Sequence, residues 1–171
     1  MNNYTAMDIA NYIINYVNSG NKKLCTLSHL KLQKLLYYVQ ATYLAKSDGD
    51  LIFINDIEKW QYGPVVREVY YEFKDFGISH IDTPRSYLKK TINGGFELIS
   101  FNTDLIDTNS GVSTHIKLVV NSLKDLDAFA LVERTHAEPM WSNLKHEILS
   151  RNNILKYSLD EMKTYFKIHP L

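Results

Sequence analysis

The sequence contains only one cysteine, Cys25, in 171 residues. A single cysteine cannot form an internal disulfide, so the fold does not depend on one and a reducing compartment suits the chain. Long hydrophobic runs are missing too. Polar residues interrupt the first 17 positions, which therefore do not resemble a signal peptide. No stretch approaches the roughly 18 uninterrupted apolar residues that indicate a membrane-spanning helix. We expect a soluble cytoplasmic protein that has no membrane partner.

An excess of charge of either sign is also missing. Lys and Arg together number 19, and so do Asp and Glu, which gives a formal net charge of zero. Nucleic-acid-binding domains usually carry a basic excess, because neutralising phosphates supplies much of their affinity. The balance argues against DNA or RNA as the main ligand. It also leaves little electrostatic repulsion between copies, so a homo-oligomer remains open.

The motifs of common enzymes are missing as well, including Gly-x-Ser-x-Gly, the phosphate loop and the dinucleotide-binding fingerprint. Glu133 and His136 have the Glu-x-x-His spacing that places two ligands on one helix face, but a dinuclear carboxylate site needs a second such motif. The other histidines show no zinc-binding spacing, and Cys25 has no defined histidine partner. We predict no catalytic residue, no metal and no cofactor. A hydrolytic enzyme that uses Glu133 and His136 is the alternative.

The sequence is rich in apolar residues at helical spacing. A chain of this length can bury about 70% of its unfolded surface in one core, so we expect a single domain over residues 1–171. The spacing predicts about six helices. Thr5 and Ser28 are positioned to cap the first two, Pro64 suits the first turn of the third, and Ser158 opens a capping box at the start of the last.

Two shorter segments have the pattern of extended chain. Residues 51–60 are partly β-branched and predict a small strand or an extended connection. Alternating residues on both sides of Asn93-Gly94 predict a β-hairpin with a two-residue turn. The predicted fold class is therefore mainly α: a single-domain helical bundle of about six helices with a small β-hairpin or sheet insertion.

Tyrosine is abundant, at 12 residues, and its positions on the helices differ in what they predict. On the second helix, Tyr37 points away from the apolar stripe that contains Leu32 and Leu35, so this helix has two apolar sides and is expected to be buried on both. On the third helix, Tyr71 lies opposite the apolar stripe and beside Arg67. An exposed tyrosine next to an arginine has the composition of a protein-interface anchor.

Three segments resemble one known family. Residues 32–38 read Leu-Gln-Lys-Leu-Leu-Tyr-Tyr, residues 60–65 read Trp-Gln-Tyr-Gly-Pro-Val, and residues 131–136 read Leu-Val-Glu-Arg-Thr-His, followed by Trp141. In this order and spacing they resemble the Panacea domain, also called the SocA-like antitoxin family. The resemblance extends over about residues 7–167, although the hairpin region matches only loosely.

The resemblance implies a bacterial or phage antitoxin that neutralises a cognate toxin protein by direct contact. An alternative within the same family is an adaptor that delivers the toxin to an energy-dependent protease. No catalytic residues are established for the family. The residues that carry the motif, or that are candidates for contacting a partner, are Leu32, Leu35, Tyr37, Tyr38, Trp60, Tyr62, Gly63, Pro64, Arg67, Tyr71, His136 and Trp141.

Two roles remain open for the aromatic motif residues. In the first, Trp60 and Tyr62 form a rigid aromatic shelf where the third helix begins, and His136 and Trp141 pack against it. In the second, these four residues hold the core of the domain together. In either case, toxin specificity is expected in exposed side chains such as Tyr71 and its neighbours.

Overall fold

The computed structural model describes residues 4–171, and this part of the chain is mainly helical. Its nine α-helices are α1 (Ala6–Asn18), α2 (His29–Lys46), α3 (Arg67–Phe73), α4 (Asp104–Asp107), α5 (Ser110–Leu123), α6 (Ala128–Ala137), α7 (Pro139–Ser142), α8 (Lys145–Ser150) and α9 (Leu159–Ile168). Its strands are β1 (Glu58–Trp60), β2 (Gly63–Val65), β3 (Tyr87–Lys90), β4 (Phe96–Ile99) and β5 (Leu155–Lys156). A mainly α fold with small β insertions is confirmed. None of the helices in the described range is long and apolar enough to cross a membrane.

Several of the helices begin with a side-chain cap. The Thr5 hydroxyl, predicted to cap the first helix, accepts a hydrogen bond from the Asp8 amide at 3.2 Å, and the Asp8 carboxylate accepts one from the Thr5 amide at 2.8 Å, which completes a capping box. Ser28, Asp127 and Ser158 each accept a hydrogen bond from an amide three residues further on. Such caps satisfy amides that have no partner within the helix.

The prediction that Pro64 begins the third helix is wrong, because α3 begins at Arg67. Pro64 lies in β2, whose antiparallel pairing with β1 brings Trp60 opposite Gly63 and keeps this segment extended. In the order β2-β1-β5, β2 is an edge strand. Proline is tolerated at such an edge, because it has no amide hydrogen to donate to a further strand. The segment that was expected to start a helix is therefore part of a tight hairpin formed by β1 and β2 (residues 58–65), which we call the strand turn.

The last strand of this sheet comes from a distant part of the chain. In β5, Leu155 pairs with Lys59 of β1, so residues near the C-terminal end of the chain complete a sheet that begins near residue 58. A two-residue strand has no detectable sequence period of its own. Long-range pairing of this kind is decided by the tertiary structure.

The predicted hairpin is confirmed, but its turn is longer than expected. β3 and β4 pair with Leu88 opposite Leu98 and Lys90 opposite Phe96, which leaves residues 91–95 as a five-residue loop. The Thr91 carbonyl accepts a hydrogen bond from the Gly94 amide at 3.0 Å, and Gly94 has a φ of +80°. The turn therefore closes at Thr91 and Gly94, where glycine allows the positive φ, and not across Asn93-Gly94 alone.

Helix α2 occupies the centre of the core. Both of its apolar sides are buried, as predicted, and four of the motif residues on it have no solvent exposure: Leu32, Leu35, Tyr37 and Tyr38. The C-terminal helix α9 packs against it, and the Phe166 ring lies 5.9 Å from the ring centroids of both Tyr37 and Tyr38. Since α2 contacts helices from both ends of the chain, its position determines where the other elements can lie.

We expect Phe166→Ala to lower the free energy of unfolding by about 3–5 kcal/mol, because it leaves a cavity beside two buried tyrosine rings. The matched control is Ile168→Ala on the same helix, where the side chain is largely exposed and the loss should stay within about 0.5 kcal/mol. Urea unfolding monitored by circular dichroism measures both. Equal losses for the two variants would contradict this account of the core.

Candidate functional site

The polar motif residues on α2 hold the strand turn, which includes Trp60 and Tyr62. The ammonium group of Lys34 donates a hydrogen bond to the Pro64 carbonyl at 2.9 Å, and the side-chain oxygen of Gln33 accepts one from the Val66 amide at 2.7 Å. Both side chains are buried. The outer edge of β2 is therefore satisfied by two α2 side chains instead of another strand.

Two further polar residues of α2 bind other parts of the backbone. Lys31 donates to the carbonyls of Lys124 and Leu126, both at 2.6 Å, where α5 ends. The Gln40 amide group donates to the Phe53 carbonyl at 2.8 Å, and its oxygen accepts from backbone amides of the same segment. The motif helix thus fixes loops on several sides of the core through specific hydrogen bonds.

A buried carboxylate lies between two motif tyrosines. The hydroxyls of Tyr37 and Tyr38 both donate to the side chain of Glu138, the bond from Tyr38 measuring 3.0 Å. Burial raises the pKa of Glu138 to about 7, although the two hydroxyls favour the charged form. Burial and the nearby carboxylate also raise the pKa of Tyr37 and of Tyr38, which therefore remain neutral donors. The guanidinium of Arg134 lies 5.4 Å from the Tyr38 ring centroid.

Gly63 is the point of closest approach between the strand turn and the helices. Its φ is +89°, and a β-carbon added there would lie 2.6 Å from Thr135 Oγ1 and 3.2 Å from Lys34 Cε. Thr135 lies on α6 and is fully buried. Any side chain at position 63 would therefore push the turn away from both α2 and α6.

The other two aromatic motif residues support the same turn from α6 and α7. The rings of His136 and Trp141 are stacked with centroids 3.6 Å apart, and the Trp141 indole donates to the Trp60 carbonyl at 2.9 Å. Trp141 is buried. Burial lowers the pKa of His136, so its ring is neutral near pH 7. Trp141 therefore makes the contact to the Trp60 backbone, and His136 stacks on Trp141.

Trp60 and Tyr62 do not lie directly before the start of α3 as expected, because strand β2 comes between them and the helix. They line an open groove instead. We call it the aromatic groove; it has a volume of about 600 Å³ and is lined by His29, Leu30, Gln33, Lys59, Trp60, Gln61, Tyr62, Val65, Arg67, Tyr70, Ile148, Arg151, Asn153 and Ile154. A pocket that binds a ligand commonly measures about 300–1,000 Å³. The turn held by α2 therefore forms one wall of a cavity of binding size.

Arg67 is fixed at this groove by its neighbours. Its guanidinium forms two hydrogen bonds of 2.9 Å to the carboxylate of Glu58, and the Trp60 indole donates to the same carboxylate at 2.7 Å. The Trp60 and Tyr70 rings lie 4.8 Å apart. Tyr71, the next residue, is 53% exposed, which confirms its predicted exposure.

Eleven of the twelve predicted site residues divide into two groups, while His136 is half-buried and stacks on Trp141. Leu32, Leu35, Tyr37, Tyr38, Gly63, Pro64 and Trp141 are buried and form the support. Trp60, Tyr62, Arg67 and Tyr71 lie on the surface at or beside the aromatic groove, with Tyr62 as exposed as Tyr71. Of these two groups, only the second has side chains that another molecule could reach while the domain stays folded.

Sequence reasoning missed Glu138 and the far wall of the groove. A signal for the buried polar network was available, because Gln33 and Lys34 are polar residues on a helix that is apolar on two sides, and buried polar groups need partners. Nothing comparable marks Ile148, Arg151 or Ile154, whose approach to the groove depends on the β5 pairing.

The Glu133–His136 pair has little to support a reaction. Glu133 is exposed, and the His136 ring stacks on Trp141. In residues 4–171, no group of three or more His, Cys, Asp or Glu side chains could hold a metal ion. The pair therefore lacks the converging groups that metal-assisted hydrolysis requires.

A family model identifies the chain. The model for the antitoxin SocA-like Panacea domain matches residues 32–142, which include all twelve candidate residues. The chain belongs to the Panacea family. Searches of curated proteins and of solved structures gave no significant match. The matched region begins on α2 and ends on α7, so the Panacea motif residues coincide with the buried network and the inner wall of the groove.

The Panacea glycine should be intolerant of even a methyl group. We expect Gly63→Ala to lower the free energy of unfolding by about 1–3 kcal/mol more than Gly94→Ala. Both glycines have a positive φ, but a β-carbon at Gly94 would meet nothing within 4 Å. The control therefore isolates the clash with Thr135 and Lys34. Urea midpoints that fall equally in the two variants would contradict the close packing of the turn.

The buried network should make stability lowest near neutral pH. In the folded protein the pKa of Glu138 is about 7, against an ordinary 4.5. Its contribution to the free energy of unfolding is therefore full below pH 4.5 and is lost as the pH rises to about 7. Burial lowers the pKa of Lys34 from 10.5 to about 7. Its contribution to the free energy of unfolding is therefore full above pH 10.5 and is lost as the pH falls to about 7.

Two variants separate these contributions. Glu138→Gln should flatten the decline between pH 4.5 and 7, and Lys34→Met should flatten the rise between pH 7 and 10.5, each slope reaching at most about 1.4 kcal/mol per pH unit. Urea unfolding at intervals across this range measures the slopes. If both variants retain the slopes of the original protein, the two groups do not titrate as described.

Proposed function

We propose that this Panacea-domain protein is an antitoxin that binds a cognate toxin directly and covers the surface through which the toxin acts. The observation that carries the proposal is the division of the motif residues. The buried ones satisfy one another inside the domain, while Trp60, Tyr62, Arg67 and Tyr71 remain accessible on one side. Aromatic and arginine side chains are the residues that dominate protein–protein binding energy.

The organisation around Trp60 favours contact with a rigid surface. Its ring is tilted against Tyr70, its indole is bound to Glu58, and its carbonyl is held by Trp141. A side chain that is already ordered loses little conformational entropy on binding, so more of the contact energy appears as affinity. A standard interface of about 1,600 Å² would extend well beyond the groove.

The β3–β4 hairpin offers a second contact surface. Four of its apolar side chains are at least 64% exposed: Leu88, Ile92, Phe96 and Leu98. The register places Leu88 opposite Leu98, so the two lie on the same face of the hairpin. An apolar surface of this kind is typical of an interaction site, and the experiment below compares it with the aromatic groove.

The direct test is co-expression with the product of each neighbouring gene that arrests growth. We expect the protein to restore growth and to co-purify with one such product, and Tyr62→Ala with Tyr71→Ala to weaken that complex at least tenfold. Phe129→Ala is the matched control, because this aromatic residue is 63% exposed and lies outside the groove. Leu88→Ser with Phe96→Ser tests the hairpin in the same assay.

The outcomes separate the mechanisms. Neutralisation with an unchanged toxin level supports occlusion, whereas a toxin level that falls only when a protease is present supports the adaptor. Glu133→Ala should keep full activity, because Glu133 is exposed and the His136 ring is stacked on Trp141. Failure to bind or neutralise any neighbouring toxic product would overturn the proposed function.

A further inference from the structure

The lining of the aromatic groove is uneven in charge. Lys59, Arg67 and Arg151 line it, and its lining includes no Asp or Glu. Two of the three cations already have carboxylate partners, since Arg67 is paired with Glu58 and Lys59 lies 3.9 Å from Glu161. A protein with a formal net charge of zero therefore has a local positive site at this groove.

Arg151 is the cation left for a ligand. It is exposed at the rim, where its guanidinium donates to the side-chain oxygen of Gln61 at 2.6 Å. No carboxylate in the described part of the chain lies within 4 Å of it. A guanidinium has five donors in a fixed fork, so most of its capacity remains for a planar acceptor such as a carboxylate.

The floor of the groove contains a buried donor without a partner. Gln33 is only 2% exposed, and its oxygen is committed to the Val66 amide, which fixes the orientation of the side-chain amide. Its Nε2 has no hydrogen-bond partner within residues 4–171. An unsatisfied buried polar group is unfavourable, and an acceptor in the groove would satisfy it. His29, which also lines the groove, has an unpartnered buried Nδ1.

Apolar surface lies between the rim and the floor. Trp60 and Tyr70 form one wall, and exposed Tyr62 and Ile154 add aromatic and aliphatic surface at the mouth. Such a surface would bury one or two apolar side chains of a ligand. The groove therefore suits a ligand that presents a hydrogen-bond acceptor to the floor, an apolar side chain to the walls and a carboxylate to the rim.

We propose that the aromatic groove binds an extended segment of the toxin in which an Asp or Glu lies next to an apolar side chain. The carboxylate pairs with Arg151, the apolar side chain packs between Trp60, Tyr62 and Ile154, and a backbone carbonyl accepts from Gln33 Nε2. This assignment rests on the proposed function for the identity of the partner. The chemistry of the groove can be tested without the toxin.

The first experiment selects peptides from a random phage-displayed library on the folded protein. We expect the binders to be enriched in Asp or Glu beside an aromatic or aliphatic residue, and to lose at least tenfold in affinity for Arg151→Glu. Lys22→Glu is the matched control, because it makes the same charge change at an exposed position outside the groove. Gln33→Glu keeps an acceptor for Val66 and replaces the free donor, so it should also weaken binding.

Three results would overturn the assignment. They are a selection that yields no binder, binders without acidic enrichment, and binders that Arg151→Glu retains at full affinity. A single-stranded oligonucleotide that binds the original protein and competes with the peptides would reassign the groove to nucleic acid. Since Arg151 is exposed, its variant should fold even if Gln33→Glu does not.

The second experiment uses any toxin that passes the co-expression test. Arg151→Glu should weaken that complex at least tenfold, and Lys22→Glu should leave it unchanged. A toxin complex insensitive to Arg151→Glu would overturn the groove assignment and leave the proposed function standing. Acidic peptides that bind the groove while no neighbouring product is neutralised would instead overturn the proposed function.

Discussion

The hydrogen bonds from α2 to the outer edge of β2 are the constraint on which the rest of the site depends. Lys34 and Gln33 bind the backbone on either side of Val65, so this edge is satisfied without another strand. An unpaired edge invites pairing with a second chain, and the two side chains prevent that. They also fix the turn that carries Trp60 and Tyr62, so a buried amine and amide determine the shape of an exposed groove.

The Glu138 carboxylate extends this constraint to the other half of the matched region. By accepting from Tyr37 and Tyr38, it ties the junction of α6 and α7 to the centre of α2. The Panacea motif residues are thus distributed over three segments that meet around one helix. The buried ones hold the relative position of those segments, whereas Trp60 and Tyr62 stay accessible at the groove.

The aromatic groove and the β3–β4 hairpin differ in what they can recognise. Within residues 4–171, the groove has a buried donor without a partner, a guanidinium without a carboxylate partner and ordered aromatic walls, so the binding proposed there depends on the polar chemistry of the ligand. The hairpin offers exposed leucines and a phenylalanine, whose contribution depends mainly on apolar area. A partner that covers both would gain specificity from the first and area from the second.

The elements that could be predicted from the sequence are those that have a local cause. Periodicity located α1 and α2, Thr5 and Ser158 marked helix starts, and alternation around Asn93 marked the hairpin, because each signal lies within a few residues of the structure it specifies. The sequence could not place Pro64 in a strand, because proline suits both a helix start and a strand edge, and the choice depended on β1 and on Lys34.

Which motif residues are buried and which are exposed depends on how distant segments pack together. Tyr37 and Tyr62 both lie in segments that carry the family resemblance, yet the first binds a carboxylate inside the domain and the second faces solvent. The far wall of the groove, with Arg151 and Ile154, arises from the pairing of β5 with a strand about a hundred residues earlier. Contacts across that separation depend on the packing of the whole chain, so no short stretch of sequence contains them.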